Sequence, residues 1–131
     1  MCQTRTINLP WTTRYSDVTA NDGVFLPVSG WMDASTVRRL RVAFEVAATT
    51  DASGIIKPGI EYANVENTPF GGLTLTGAAA QTGNGVNYPT QLSDVGASSD
   101  GKQLARLGFW FKASSAGLKA ARVAGKADVE S

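Results

Sequence analysis

The sequence predicts a single all-β domain built mainly from antiparallel strands. Three observations carry that expectation: apolar and polar residues alternate in several segments, turn-forming clusters bound those segments, and the length suits one core. Alternation with a period of two marks a strand with one buried and one wet face, because successive side chains leave the pleat on opposite sides. A chain of 131 residues is too short for two ordinary domains. Chains of this size bury roughly two thirds of their unfolded surface, so the core needs no staples. The composition, 43% hydrophobic and 18% charged, is that of a globular protein.

At the N-terminus, Ile7, Leu9 and Trp11 fall at period two, but Pro10 has no N–H and interrupts any ladder. Residues 1–22 are therefore expected to form an extended arm that orders on a partner, with residues 23–131 as the sandwich domain. Val24-Phe25-Leu26 before Pro27 predicts one short strand, and Val28 to Trp31 a corner. The clearest strand is Val37 to Ala48, where Leu40, Val42, Phe44 and Val46 oppose Arg39, Arg41 and Glu45. Thr49-Thr50-Asp51-Ala52-Ser53-Gly54 is a turn-forming cluster. Ile55 to Val65 follows as a strand with Ile60 and Tyr62 on one face and Glu61 on the other. Pro58 suggests that this strand begins there or lies at an edge. Together the two runs read as a hairpin.

The stretch from Thr68 to Gly101 is rich in Gly, Ala, Thr, Ser and Asn. Leu73 and Leu75 alternate with Thr74 and Thr76, enough for one short strand. Gly77 to Pro89, with Asn84-Gly85, reads as a long Gly/Thr-rich loop, a type of segment that often carries function. Asp100-Gly101 supplies a turn into the last third. There Leu107, Phe109 and Phe111 alternate with Arg106, Trp110 and Lys112, and Ser114-Ser115-Ala116-Gly117 ends the run. From Leu118 to Val129, Ala121, Val123, Ala127 and Val129 share one face. The alanines make helix a rival, but Gly125 in mid-run favours a strand and a second hairpin.

Little in the residue inventory supports catalysis. There is no histidine, which removes the usual general base, the usual zinc ligand and every Ser-His or Cys-His pair. Cys2 alone builds neither a disulfide framework nor a thiolate metal site. Gly83-Asn84-Gly85 is a turn and not a phosphate cradle. Glu45 and Glu61, on adjacent predicted strands, are the one carboxylate pair worth weighing as acid and base. Glu45 shares its face with Arg39 and Arg41, which points to a solvated charged face. Asp94 and Asp100 lack the acidic density of a calcium loop. No catalytic residue, cofactor or metal ligand is assigned, and an enzyme is not expected.

A net charge of +1 gives no case for nucleic acid. No apolar run approaches the roughly 20 residues that span a bilayer, and no signal peptide is evident, so synthesis in a cytoplasm is expected. Charge is uneven: Arg38, Arg39 and Arg41 cluster, Lys102 to Lys126 is basic, and the centre leans acidic. That bipolarity suits docking on a repeating partner, and chance produces it too. Phe44, Phe109 and Phe111 belong to the core. Trp110 shares its face with Arg106 and Lys112, so it is either an anchor or sugar platform, or a ring covered by other elements. Trp11, Tyr15 and Trp31 would mark a contact site if they formed one patch.

The run Val37-Arg38-Arg39-Leu40-Arg41-Val42-Ala43-Phe44-Glu45-Val46, the polar turn and strand after it, the Gly/Thr/Ser-rich middle, and Leu104-Ala105-Arg106-Leu107-Gly108-Phe109-Trp110-Phe111-Lys112 form one pattern. From Gly23 to Val129 it resembles the small, jelly-roll-like β-sandwich proteins of tailed-phage virions, which include capsid decoration (cement) proteins. The resemblance is one of strand order and carries no diagnostic motif. It implies a structural protein of the virion that reinforces the major-capsid shell, as a homo-oligomer in which a trimer is common. The expected contact residues are Arg5, Trp11, Arg14 and Tyr15 in the arm, Asn84 and Tyr88 in the loop, and Trp110. A carbohydrate-binding module using Trp110 or Trp31, and a head–tail or tail accessory protein, are the alternatives.

Overall fold

The computed structural model describes residues 3–64, 69–74, 80–95 and 101–131. The strands are β1 (Thr4–Ser16), β2 (Val24–Pro27), β3 (Met32–Asp33), β4 (Arg39–Ala47), β5 (Ile55–Ala63), β6 (Pro69–Thr74), β7 (Gln81–Thr82), β8 (Gly85–Asn87), β9 (Ser93–Asp94), β10 (Leu104–Lys112) and β11 (Lys119–Glu130). They form two antiparallel sheets: β1-β11-β4-β8, with β9 also on β4, and β2-β10-β5-β6, with β3 on β10 and β7 on β5. The all-β sandwich expected from the alternation is the fold.

The alternation decides which side chains face inward. Leu40, Val42, Phe44 and Val46 of β4 and Ala121, Val123, Ala127 and Val129 of β11 line one wall of the core. Ile56, Ile60 and Tyr62 of β5 and Ala105, Leu107, Phe109 and Phe111 of β10 line the other. The walls meet where Phe44 and Phe109 pack with ring centroids 5.3 Å apart. Gly125 makes room there, since a Cβ would lie 2.8 Å from the Ala43 carbonyl oxygen and 3.2 Å from the Phe44 Cβ. The glycine that favoured strand over helix in the sequence is thus required by the packing.

Both expected hairpins are corrected. β4 pairs with β11, β8 and β9, while β5 pairs with β10, β6 and β7, so the turn between β4 and β5 crosses from one sheet to the other. The turn between β10 and β11 does the same. Alternation fixes which face of a strand is buried but not which strand lies beside it, and two sequential strands on opposite walls have the same pattern as a hairpin.

Asp51 ties the two crossings together. Its Oδ2 accepts from the Ser114 N–H at 2.8 Å and its Oδ1 from the Ser114 hydroxyl at 2.5 Å, while the Ser53 N–H bonds Oδ1 at 3.3 Å. Next to it, the Thr50 N–H donates to the Ala120 carbonyl at 2.8 Å and the Ala120 N–H donates to the Thr50 hydroxyl at 2.9 Å. Burial raises the Asp51 pKa, but the hydrogen bonds from Ser114 and Ser53 and the charge of Lys119 outweigh it. The carboxyl therefore titrates below its ordinary value.

Pro58 neither starts β5 nor places it at an edge; the strand runs through it between β10 and β6/β7. The position is tolerated at a seam. β7 covers Ile55 and Ile56 and β6 covers Gly59 to Ala63, which leaves Lys57 and Pro58 unpaired on that side among the described residues. The long Gly/Thr-rich segment also holds more order than a loop. β7 pairs with β5 and β8 with β4, so residues 81–87 pass from one sheet to the other along the side of the sandwich. Leu75, Thr76 and Asp100 lie outside the described residues.

The N-terminal segment is extended, and it is laddered onto β11 from Thr4↔Glu130 to Ser16↔Lys119. A register shift between Leu9 and Thr12, where Pro10 and Trp11 sit, adds one residue to β1 relative to β11. The extra residue reverses the alternation: Ile7 and Leu9 face inward before it, and Thr12, Arg14 and Ser16 after it. Trp11 therefore leaves the apolar row that its spacing assigns it and becomes exposed. No helix among the described residues is long and apolar enough to cross a membrane.

Candidate functional site: an aromatic groove on one outer face

The outer face of the β1-β11-β4-β8 sheet divides into two regions. At one end, charges are compensated in register. Arg39 meets Glu130 at 3.1 Å, and Arg41 meets the Asp128 Oδ2 through Nη2 at 2.7 Å and Nε at 3.2 Å. Thr6 donates to the Asp128 Oδ1 at 3.1 Å. The Arg41 bond, above all, holds the Asp128 carboxyl below the usual range against the opposing effect of burial. Two members of the basic cluster seen in the sequence are thus matched by carboxylates of β11.

Towards the middle of the face the pairs give way to small residues. Ala43 and Ala124 line a shallow groove of about 350 Å³, which also touches Trp11, Val86, Tyr88, Glu45 and Lys126. The register explains its shape. Ala43 of β4 and Ala124 of β11 form its floor; Glu45 lies between Ala124 and Val86 and Lys126 between Asn8 and Ala43, while Trp11 of β1 and Val86 of β8 flank it. Trp11 is 42% exposed, Val86 45% and Tyr88 74%, levels high enough that their rings and methyls remain available for contact. Arg122 covers one side of the Trp11 ring, its Cζ 4.7 Å from the centroid. Glu45 and Lys126 make no ion pair among the described residues.

Of the residues singled out from sequence, Trp11 and Tyr88 meet in this groove, and Tyr15, 53% exposed, lies further along the same face of β1. The others are placed elsewhere. Arg14 reaches from β1 to the second sheet, where Nη2 donates to the Pro27 carbonyl at 2.7 Å; burial lowers its pKa. Arg5 makes a similar crossing lower down, donating to the Thr36 hydroxyl at 2.7 Å and the Met32 sulfur at 3.5 Å. Asn84 holds the turn between β7 and β8 by accepting from the Thr49 N–H at 3.2 Å.

Trp110 projects from the outer face of the other sheet, as its alternation implies, and it is covered. Phe25 packs edge-on against it at 5.5 Å, Gly59 leaves space beneath it, and its indole Nε1 is buried. Trp31 also belongs to that side, lying over the Arg106 guanidinium at 4.4 Å, so Trp11, Tyr15 and Trp31 do not form one patch. Glu61 accepts from the Arg106 Nε at 2.6 Å on the same outer face. Glu45 faces away from it on the opposite side of the sandwich, and the two carboxylates cannot flank a common bond.

Val86, Ala43, Ala124 and Lys126 complete the groove without having been singled out. β8 is three residues long, too short for periodicity to reveal. The two alanines become a floor only because β11 and β4 are neighbours, a pairing that the apparent hairpins hid.

No protein-family model matches the chain, and no curated protein matches it in sequence. Solved structures do. The structure of infectious bursal disease virus Gx strain superposes with a TM-score of 0.61 at 14% identity, covering 98% of this chain and 32% of that one. A mutant VP2 protein of the same virus, in derived T=1 particles, gives 0.62 at 10% identity, covering 98% and 31%. The VP2 subviral particle gives 0.57 at 14%, covering 98% and 32%. The likeness is one of fold. The chain spans about a third of the length of the viral chains that it matches.

Proposed function

We propose that this chain is a structural protein of a virion, most specifically a decoration (cement) protein that binds a tailed-phage head and reinforces its major-capsid shell. The observation that carries the reading is the groove between Trp11 and Tyr88. Exposed rings beside a floor of alanines supply contact area that is readily desolvated, on a face whose other charges are largely paired. The fold likeness to VP2 in subviral and T=1 particles supports a role on a particle. The strand pattern of the sequence supports the phage assignment. A specific interface of about 1,600 Å² exceeds the groove alone, so Tyr15 and the ion-paired rows belong to the same footprint. Assembly as a homo-oligomer, with a trimer on a local three-fold axis, would multiply the avidity of each weak contact.

The test is titration of the purified protein onto shells that lack it, reading copy number and shell melting. Saturable binding that stabilises the shell is expected. Trp11→Ala and Tyr88→Ala should each weaken binding by about tenfold or more, as for central aromatic anchors. Absence of binding, with shell stability unchanged, would refute the decoration role; binding to isolated tails or connectors instead would move the protein to a head–tail or tail position. The same pair of rings favours one second reading, a carbohydrate-binding module whose platform is Trp11 and Tyr88, in place of the covered Trp110. Retention on a glycan array that is lost in Tyr88→Ala, without shell binding, would select it.

A further inference from the structure

We infer that the free edge of β1 is a strand-addition site for an extended acidic segment of another protein. This deepens the reading above by naming how a shell partner would be held, and it rests on that reading only for the partner's identity.

β1 ends its sheet, and among the described residues it is unlike every other edge. It has 13 residues, whereas β2, β3, β6, β7, β8 and β9 run from 2 to 6. Short edges are a common protection against unwanted pairing, because a strand of two or three residues offers too few free N–H and C=O groups to template another. Among the described residues, no backbone hydrogen bond joins Thr4–Ser16 to any segment except β11. Alternate peptide groups on the opposite side are therefore open, and Thr4, Thr6, Asn8, Pro10 and Thr13 beside them are exposed. Pro10 donates nothing, so an added strand would form two half-ladders, against Thr4–Leu9 and against Thr12–Ser16.

Charge selects the partner. β1 contains Arg5 and Arg14 and no acidic residue. Both guanidiniums lean off this flank towards the second sheet, and both meet only neutral acceptors among the described residues: Thr36 and Met32 for Arg5, the Pro27 carbonyl for Arg14. A second copy pairing β1 with β1 would gather four guanidiniums at one seam, which like-charge repulsion across strands disfavours. An extended segment with carboxylates is favoured. The spacing follows from the bulge. Arg5 and Arg14 are nine residues apart, and one of the residues between them is extra to the ladder. An unbulged partner would match them with residues eight positions apart, which lie on one face because eight is even.

The probe is a synthetic nonapeptide, Glu-Thr-Val-Thr-Val-Thr-Val-Thr-Glu, added to the full chain labelled for NMR, with shells absent. The result expected is saturable binding, with shift changes and slowed amide exchange confined to alternate residues of Thr4–Ser16. A peptide with Lys in place of both Glu should bind about tenfold more weakly, since two like-charge contacts replace two opposite-charge ones. Proline at two adjacent positions inside one half-ladder of the peptide and the charge-reversed variant Arg5→Glu should weaken the Glu peptide similarly; Arg5→Glu is the variant of choice because Arg14 also clamps the sheets. Absence of binding, shifts that map to the Trp11–Tyr88 groove, equal affinity for the Lys peptide, or dimerisation through β1 in sedimentation would each overturn the inference. None of these outcomes bears on whether shells bind, so the two proposals fail separately.

Discussion

Removing the Asp51 carboxylate should loosen both crossings between the sheets at once. In the folded chain Asp51 is 6% exposed and accepts three hydrogen bonds, two of them from Ser114, 63 residues away. A hydrogen bond to a charged group contributes about 1.5–3 kcal/mol, and a donor left without a partner in a dry site costs about 1–3 kcal/mol. Ser114 is exposed, so its donors recover water when the carboxylate is lost. That reduces the sum, and Asp51→Ala should cost about 3 kcal/mol, a fall in Tm of roughly 10 °C for a domain of this size. Ser114→Ala, which removes only the hydroxyl donor, should cost about 1 kcal/mol, and the double variant should cost less than the two single losses together.

The pH dependence has a fixed sign. Because the folded Asp51 pKa is depressed, its contribution is fully present above the unfolded value of about 3.8 and is lost as pH falls through the folded value. Urea unfolding of wild type and Asp51→Asn should therefore differ at pH 7, and the gap should begin to narrow only once pH falls below the ordinary carboxylate range. A loss under about 1 kcal/mol for Asp51→Ala, or a gap between wild type and Asp51→Asn that widens as pH falls below the ordinary carboxylate range, would refute the staple.

Two further outcomes test the packing. Gly125→Val should destabilise by about 2 kcal/mol or more in chemical unfolding, since the new Cβ meets the Ala43 backbone oxygen at 2.8 Å and backbone yields less than a side chain. Arg14→Met keeps the length of the side chain but strands the Pro27 carbonyl, and should cost about 1–2 kcal/mol while increasing amide exchange in β2 ahead of β4.

Much of this architecture is legible in the residues. The rows Leu40 to Val46, Leu107 to Phe111 and Ala121 to Val129 are both the sequence pattern and the core, because burial on one face is what alternation encodes. Partnership between strands is not encoded that way. β4 and β5 read as a hairpin since the turn between them is short and polar, yet a turn of that composition serves a crossing between sheets equally well. For the same reason Asp51 reads as one turn former among several, and its bond to Ser114 has no local signature. In the candidate site, Trp11 was legible as an unusual aromatic, but its exposure depends on a bulge that only Pro10 hints at. Arg14 has the composition of a surface contact and is instead a clamp, because the same bulge turns it inward.

The most direct measurement is a reconstruction of particles saturated with this chain. The expected map seats the β1-β11-β4-β8 face against the shell, with Trp11 and Tyr88 at the contact and the Trp31–Arg106 face of the other sheet turned away from it. Density in which the Trp31 side meets the shell, or in which the groove stays open at full occupancy, would contradict the assignment.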